Sequence, residues 1–367
     1  MSGAADFDLH GLAAIRVLDG RADDVAAVAR QLGPLARPLE REPDIIVRFV
    51  DRLDTRGRLR YLGARDAGWT DDAFIVLRSR RQTARVRIPI EAIGGRCEIV
   101  CERGLPAVPY LIAILNLTVL SAGALPVHAA AFEADALGVL VTGWSKGGKT
   151  ELLMAATDAG ARFIGDEWVY LTLDGRMHGI PEPIRLWDWH LAQLPRARRL
   201  LTASDRLRLG AIPVLVALDR SLPRSVRRLP PARLLHRAVP VLEGQLHVDL
   251  PPARLFGELG SLSGRLDRIV FVVSAAGPDI TVEPIDGREV AERMAASLVH
   301  ERLDLATLYL QARFAFPGLR NPRIETADER QRELLGRILA ERPALLVTHP
   351  YPVDLGALHD AVRAALD

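Results

Sequence analysis

Lysine is nearly missing from this chain. Of its 367 residues 48 are Lys or Arg, but only Lys146 and Lys149 are lysine and the other 46 are arginine. A sequence so biased keeps lysine where a compact ammonium on a flexible stem is needed, and both fall in one short loop. Cysteine is as scarce, with Cys97 and Cys101 alone. A single C-x-x-x-C without a second pair does not make a zinc site, so two free thiols in a reducing compartment are expected. No apolar run is long enough to span a bilayer. The nearest, 108–125, is broken by Asn116, Thr118 and Ser121 and reads as a buried helix. The first nine residues carry Asp6 and Asp8 and lack the basic-then-apolar pattern of a signal peptide. A formal net charge of +2 supplies no electrostatic drive toward nucleic acid or an anionic membrane. The expectation is a cytoplasmic globular protein without nucleic-acid or membrane partners. Its oligomeric state is open, self-association included.

The composition, 49% hydrophobic and 26% charged, is that of an ordinary globular protein with a sizeable core. There is no internal repeat or low-complexity tract. Three regions are expected: an N-terminal α+β accessory region over 1–105, a central α/β core over 106–300, and a C-terminal helical/αβ segment over 301–367. In the first, a helix over 23–32 and strands over 44–50, 74–78 and 84–90 fit the apolar spacing. After the loop region, strands are expected over 168–173, 213–218, 245–250, 268–273 and 280–284. Helices are expected over 252–259, 288–300 and 304–313. The stretch 328–367 reads helix, strand (344–347), helix. The Arg- and Pro-rich segments 195–199 and 222–234 read as exposed connections.

The lysine pair lies in Gly143-Trp144-Ser145-Lys146-Gly147-Gly148-Lys149-Thr150, which fits G-x-x-x-x-G-K-[ST] at every fixed position. An apolar run over 137–141 precedes it and a helical stretch over 149–159, closed by Gly160, follows, which is the context that pattern requires. Glycines allow the tight turn that aims backbone N–H groups at phosphate oxygens, and the new helix adds its positive end. Lys149 is placed to bridge the outer phosphates and Thr150 to offer its hydroxyl to Mg²⁺.

Upstream, 127–132 and 137–142 read as an antiparallel hairpin around 133–136, a register that sets His128 opposite Thr142 at the mouth of the loop. Downstream, a short strand over 161–164 ends in Gly165-Asp166-Glu167. If it runs parallel to 137–142, the acidic pair shares one sheet edge with the loop. Lys149 follows His128 by 21 residues and Asp166 follows Lys149 by 17.

The stretch 126–171 resembles the core of the HPr kinase/phosphorylase family, which shares its phosphate-loop architecture with phosphoenolpyruvate carboxykinases. A Val/Ile-His-Ala/Gly strand, a glycine loop ending Gly-Lys-Ser/Thr and an acidic pair after a strand occur there in this order and spacing. The resemblance is loose over 270–293 and absent from the N-terminal region. It implies a P-loop kinase core of HPr kinase/carboxykinase type that uses ATP and Mg²⁺. It implies that Lys149 holds the β/γ phosphates, Thr150 ligates Mg²⁺, Asp166 is the general base for an acceptor hydroxyl, and His128 assists or orients Asp166. The expected activity is transfer of the γ-phosphoryl group to a hydroxyl, serine first, of a peptide or protein. The additional N-terminal region argues against HPr itself as acceptor, and no dephosphorylating activity carries over. A non-catalytic nucleotide-gated protein and a small-molecule hydroxyl kinase are the alternatives.

Several roles stay open. The second acid of the family's pair is aspartate and here is Glu167, which binds metal, pairs with an arginine, or does neither. A further metal-binding glutamate of the family has Glu182 as its best counterpart, at a shorter spacing. His128 is alternatively a core histidine, Asp166 a turn cap, and Lys146 a solvated surface charge. Trp187 and Trp189 form either a docking wall on one face of a strand or two core tryptophans.

Overall fold

The computed structural model describes residues 3–33, 35–54, 59–60, 67–79, 82–223, 226 and 230–366. Strands β1 (Gly3–Leu9) and β2 (Ala13–Gly20) pair antiparallel, and α1 (Ala22–Leu32) crosses to β3 (Ile45–Val50), parallel to β2. With β4 (Ala67–Trp69), β5 (Ala73–Ser79), β6 (Gln82–Pro89) and β7 (Cys97–Glu102) they form a seven-stranded sheet in the order β1-β2-β3-β7-β6-β5-β4. Period-two patterning is plain in the paired β3 and β7, where Ile45, Val47, Phe49, Cys97, Ile99 and Cys101 are all buried. Both cysteines are free thiols, and burial raises the pKa of each.

The second sheet begins after α2 (Leu111–Ser121) with β8 (Leu125–Ala134) and β9 (Leu137–Gly143). Then come α3 (Lys149–Asp158), β10 (Arg162–Gly165), β11 (Trp168–Leu171) and β12 (Arg176–Gly179). A two-stranded ribbon, β13 (Ile184–Trp187) with β14 (His247–Leu250), brackets four helices: α4 (Asp188–Gln193), α5 (Pro195–Arg199), α6 (Ala203–Ser221) and α7 (Pro230–Glu243). The chain continues through α8 (Pro252–Phe256), β15 (Ser263–Arg265), β16 (Arg268–Ser274), β17 (Thr281–Ile285), α9 (Gly287–Glu301), α10 (Leu303–Ala315), α11 (Pro322–Glu325), α12 (Ala327–Leu339), β18 (Ala344–His349) and α13 (Leu355–Leu366). The sheet order is β15-β12-β11-β8-β9-β16-β18-β17, with β10 also paired to β8. Strands β9, β16 and β18 are mutually parallel and the rest antiparallel to their neighbours. The architecture is therefore mixed α/β, with two multi-stranded mixed sheets.

Alternate residues of the central strands serve two layers. Val127, Ala129, Ala131, Leu140, Ile269 and Phe271 join the core that includes α2, α9, α12 and the N-terminal sheet. Ala130, Phe132, Val139, Val141, Val270 and Val272 face α3 and α13. A sheet covered on both faces explains why β8 and β9 read as continuous apolar runs. Residues 3–102 share one core with the second sheet, and 301–367 contributes β18 between β16 and β17. Asn321, wholly buried, donates to the carbonyls of Ile90 (2.6 Å) and Ile93 (2.9 Å), tying α11 to the N-terminal sheet. Among the described residues no helix is long and apolar enough to cross a membrane.

Four local expectations are corrected. Residues 213–218 are not a strand but part of α6, opened by a Thr202 cap that accepts from the Asp205 N–H. Ile212 and Val216, one turn apart, pack with Val239 of α7, and that helical pairing overrides the β-branched run. Residues 195–199 form α5, and 230–234 belong to α7; positions 224, 225 and 227–229 of the expected 222–234 connection lie outside the described residues. The Trp187-x-Trp189 pair does not alternate on a strand, because β13 ends at Trp187 and α4 starts at Asp188. The hairpin register sets Ala129, not His128, opposite Thr142. Its turn is a two-residue one, Asp135 and Ala136 both at positive φ, so the strands extend further than the four-residue turn assumed.

Candidate active site

The loop after β9 is shaped by three glycines with no room for a side chain. A Cβ on Gly143 would lie 2.4 Å from the Val272 carbonyl oxygen, one on Gly147 2.9 Å from that of Trp144, and one on Gly148 2.1 Å from His349 Nε2. Gly148 has φ 110°, a conformation that L side chains resist. The neighbours of Gly143 and Gly148 belong to β16 and β18, whose carboxyl ends lie beside that of β9 by their parallel pairing. Lys149 is buried, and its ammonium donates to the carbonyls of Trp144 (3.0 Å) and Gly143 (3.5 Å). Burial lowers the pKa of this amine, against the opposing pull of Glu167, Asp166 and Glu301.

Asp166 and Glu167 follow the short strand β10 directly, as expected from the sequence. Strands β10 and β11 both pair antiparallel with β8, and the two acids form the break between them. The break is tight: the Trp168 N–H bonds the Asp166 carbonyl at 2.8 Å, and Glu167 takes φ 65°. β10 still runs in the direction of β9, with β8 between them, so the acids reach the level of the loop. A non-glycine residue at positive φ beside the glycine loop is the local strain common at functional sites. The Thr150 hydroxyl donates to the Asp166 carboxylate, at 3.1 Å and 3.3 Å to its two oxygens. Burial, reinforced by the negative charge of Glu167, pushes the Asp166 carboxyl up to about 7.

His128 lies between two carboxylates. Its Nδ1–H donates to Glu301 at 2.6 Å and its Nε2–H to Glu167 at 3.1 Å, a doubly bonded imidazolium. Burial alone would lower its pKa, but the two carboxylate bonds win and raise it. The His128 bond lowers the pKa of Glu167; burial would raise that of Glu301, but its bond to His128 together with the charges of His128 and Lys149 lowers it. Glu182 stands behind the pair. Among the described residues one of its buried oxygens has no hydrogen-bond partner, and burial, then the charges of Glu167 and Asp166, raises its pKa to about 8.

A cavity of about 210 Å³ is lined by loop residues 145–150 together with His128, Asp166, Glu167, Arg185, Trp187 and Tyr351. The fold thus gathers Ser145 to Thr150, His128, Asp166 and Glu167 around one space, with Trp187 on its wall. The indole of Trp144 turns outward instead, half exposed and stacked on His300 at 4.9 Å. Trp189 lies against His190 (3.8 Å) and edge-on to Tyr351 (5.5 Å).

Three supporting groups have no signal in the local sequence. Glu301, the last residue of α9, completes the bracket around His128. His349, wholly buried at the end of β18, sets Nε2 2.9 Å from the Gly147 carbonyl and Nδ1 2.7 Å from that of Pro350, and the Nε2 contact clamps the loop. His190 accepts the Trp187 N–H on Nδ1, which leaves Nε2–H to donate to Glu151 of α3 at 3.1 Å.

The donor set fits a magnesium nucleotide. A glycine cradle, one buried lysine, a hydroxyl bonded to a carboxylate and an orphaned buried carboxylate oxygen are the groups such a ligand needs. Among the described residues no three His, Cys, Asp or Glu side chains converge as a self-sufficient metal site. The sequence matches no protein-family model, and no curated protein matches it.

Proposed function

We propose that the chain is an ATP- and Mg²⁺-dependent phosphotransferase with a P-loop kinase core of HPr kinase/carboxykinase type, acting on a hydroxyl, serine first, of a peptide or protein in the cytoplasm. The observation that carries this is the contact of the Thr150 hydroxyl with Asp166 at 3.1 Å, beside a buried Lys149. Phosphoryl transfer needs a charge clamp on the phosphates, a metal, and a group that positions the nucleophile. Lys149 and the loop N–H groups form the clamp. Thr150 holds the metal, with Glu167 and Glu182 as further oxygen donors; the metal when bound neutralises phosphate charge. Burial and the charge of Glu167 raise the Asp166 carboxyl toward the neutral range, the direction that suits a general base. His128, fixed by Glu301, holds Glu167 to one side of Asp166.

One contact also favours a second reading. In P-loop proteins the loop Ser/Thr and a second acid hold magnesium together, so the same contact also fits a protein that binds Mg·ATP and transfers nothing. The Lys149→Ala variant tests both, since each requires it to lose Mg·ATP affinity. Unchanged nucleotide binding and turnover would reject the whole proposal. Labelling of an acceptor from γ-labelled ATP by the wild type then separates a kinase from a binder.

A further inference from the structure

A second cavity, about 690 Å³ and thus roughly three times the size of the first, opens between α4, α5 and the start of α6. Its floor is apolar, with Leu191, Leu201 and Leu209. Its rim carries Arg198, Arg199 and Arg206, all exposed. Arg206 donates only to the Arg199 carbonyl, at 3.4 Å, and among the described residues none of the three is in an ion pair with a carboxylate. Elsewhere arginines commonly have such partners, as Arg16 with Asp6, Arg48 with Glu98, and Arg185 with Asp249. The single acid on this rim is Asp188. Nearby Asp205 is already engaged by Thr202 and Arg208.

Helix α4 walls both cavities. Asp188 and Leu191 face the groove, while Trp187, just before the helix, and His190 face the space that holds Thr150 and Asp166. An Arg rim with a net positive charge, an apolar floor and a shared wall suit a ligand that has anionic side chains, some apolar contact and a length that carries it past Trp187. A free inorganic anion would use neither the floor nor the wall.

We propose that this groove binds an acidic peptide segment, rich in Asp or Glu, and presents its hydroxyl to the site at Asp166. The inference rests on the kinase assignment for the transfer and on the groove alone for the binding. Exposed arginine contacts are individually weak and screened by salt, and three of them together set a clear preference.

The test uses the full chain and two fluorescein-labelled probes, a short peptide with a central serine flanked by glutamates and the same peptide with lysines. Fluorescence anisotropy should show binding of the glutamate probe alone, weakened by added salt. Changing Arg198→Glu, Arg199→Glu and Arg206→Glu together should weaken it roughly tenfold or more. The milder Arg→Gln set should give a smaller loss, and retained Mg·ATP binding certifies that either variant is folded. Equal binding of both probes, no binding, or indifference to the arginine changes would overturn the proposal. So would tighter binding of a single-stranded oligonucleotide through the same arginines. Lys149→Ala should still bind the glutamate probe without labelling it. Wild-type binding with no transfer would reject the kinase assignment and leave the groove as a peptide site.

Discussion

The sharpest structural prediction concerns Gly148. Alanine there must adopt φ 110°, ψ 8°, which costs about 1–3 kcal/mol for an L residue. Its Cβ would also lie 2.1 Å from Nε2 and 2.7 Å from Cε1 of His349. The imidazole cannot swing aside freely, because it is wholly buried and held between the carbonyls of Gly147 and Pro350 at 2.9 Å and 2.7 Å. Displacing the ring adds about 1–3 kcal/mol through its lost hydrogen bond and disturbed packing, so Gly148→Ala should lose about 2–6 kcal/mol in all. His349→Ala should lose about 2–3 kcal/mol by itself, through the lost bond and a small cavity. The double variant removes the collision but keeps the backbone strain, so it should be more stable than the sum of the two losses by about 1–3 kcal/mol. Urea unfolding of the four proteins measures this cycle, and nucleotide binding followed in parallel should fall in every variant. Additivity within about 0.5 kcal/mol, or a Gly148→Ala protein as stable as wild type, would refute the clamp.

Asn321→Ala should destabilise by about 2–4 kcal/mol, since it strips donors from two buried carbonyls and the cap of α11 at once; a shift in urea midpoint checks it. The half-buried His178, bonded to Ser263 at 2.8 Å, has a pKa lowered from 6.5 to about 4 by burial and by the neighbouring His10 and Arg176. The unfolded chain therefore binds more protons between those values, so this contribution is present above about pH 6.5 and is lost as pH falls toward 4. With screening allowed for, the loss should be about 1–2 kcal/mol, and His178→Asn should flatten that part of the stability profile in urea titrations at pH 7 and pH 4.5.

The loop motif, the hairpin before it and the acidic pair after it were legible because each rests on short-range chemistry: glycine for a turn, a short apolar run for a doubly covered strand, a crossover for direction. The one-residue register difference at His128 has a local cause. Asp135 and Ala136 make a two-residue turn at positive φ without the Asn-Gly or Asp-Gly signal that normally marks one. Residues 213–218 misled because β-branched spacing outweighed the Thr202 cap, and helix packing with α7 decides the outcome. Glu301 and His349 were not legible at all. They reach the site only through the parallel pairing of β9, β16 and β18 and the descent of α9, contacts far apart in sequence that no local pattern encodes.

The central claim is transfer, and the Asp166→Asn variant addresses it most directly. Wild type and variant are incubated with γ-labelled ATP, Mg²⁺ and a lysate of the source cells, with Mg·ATP affinity measured alongside. The expected result is one labelled species with the wild type and retained nucleotide binding by Asp166→Asn, with labelling reduced roughly 10²-fold or more. Equal labelling by both proteins, or none by the wild type, would contradict it.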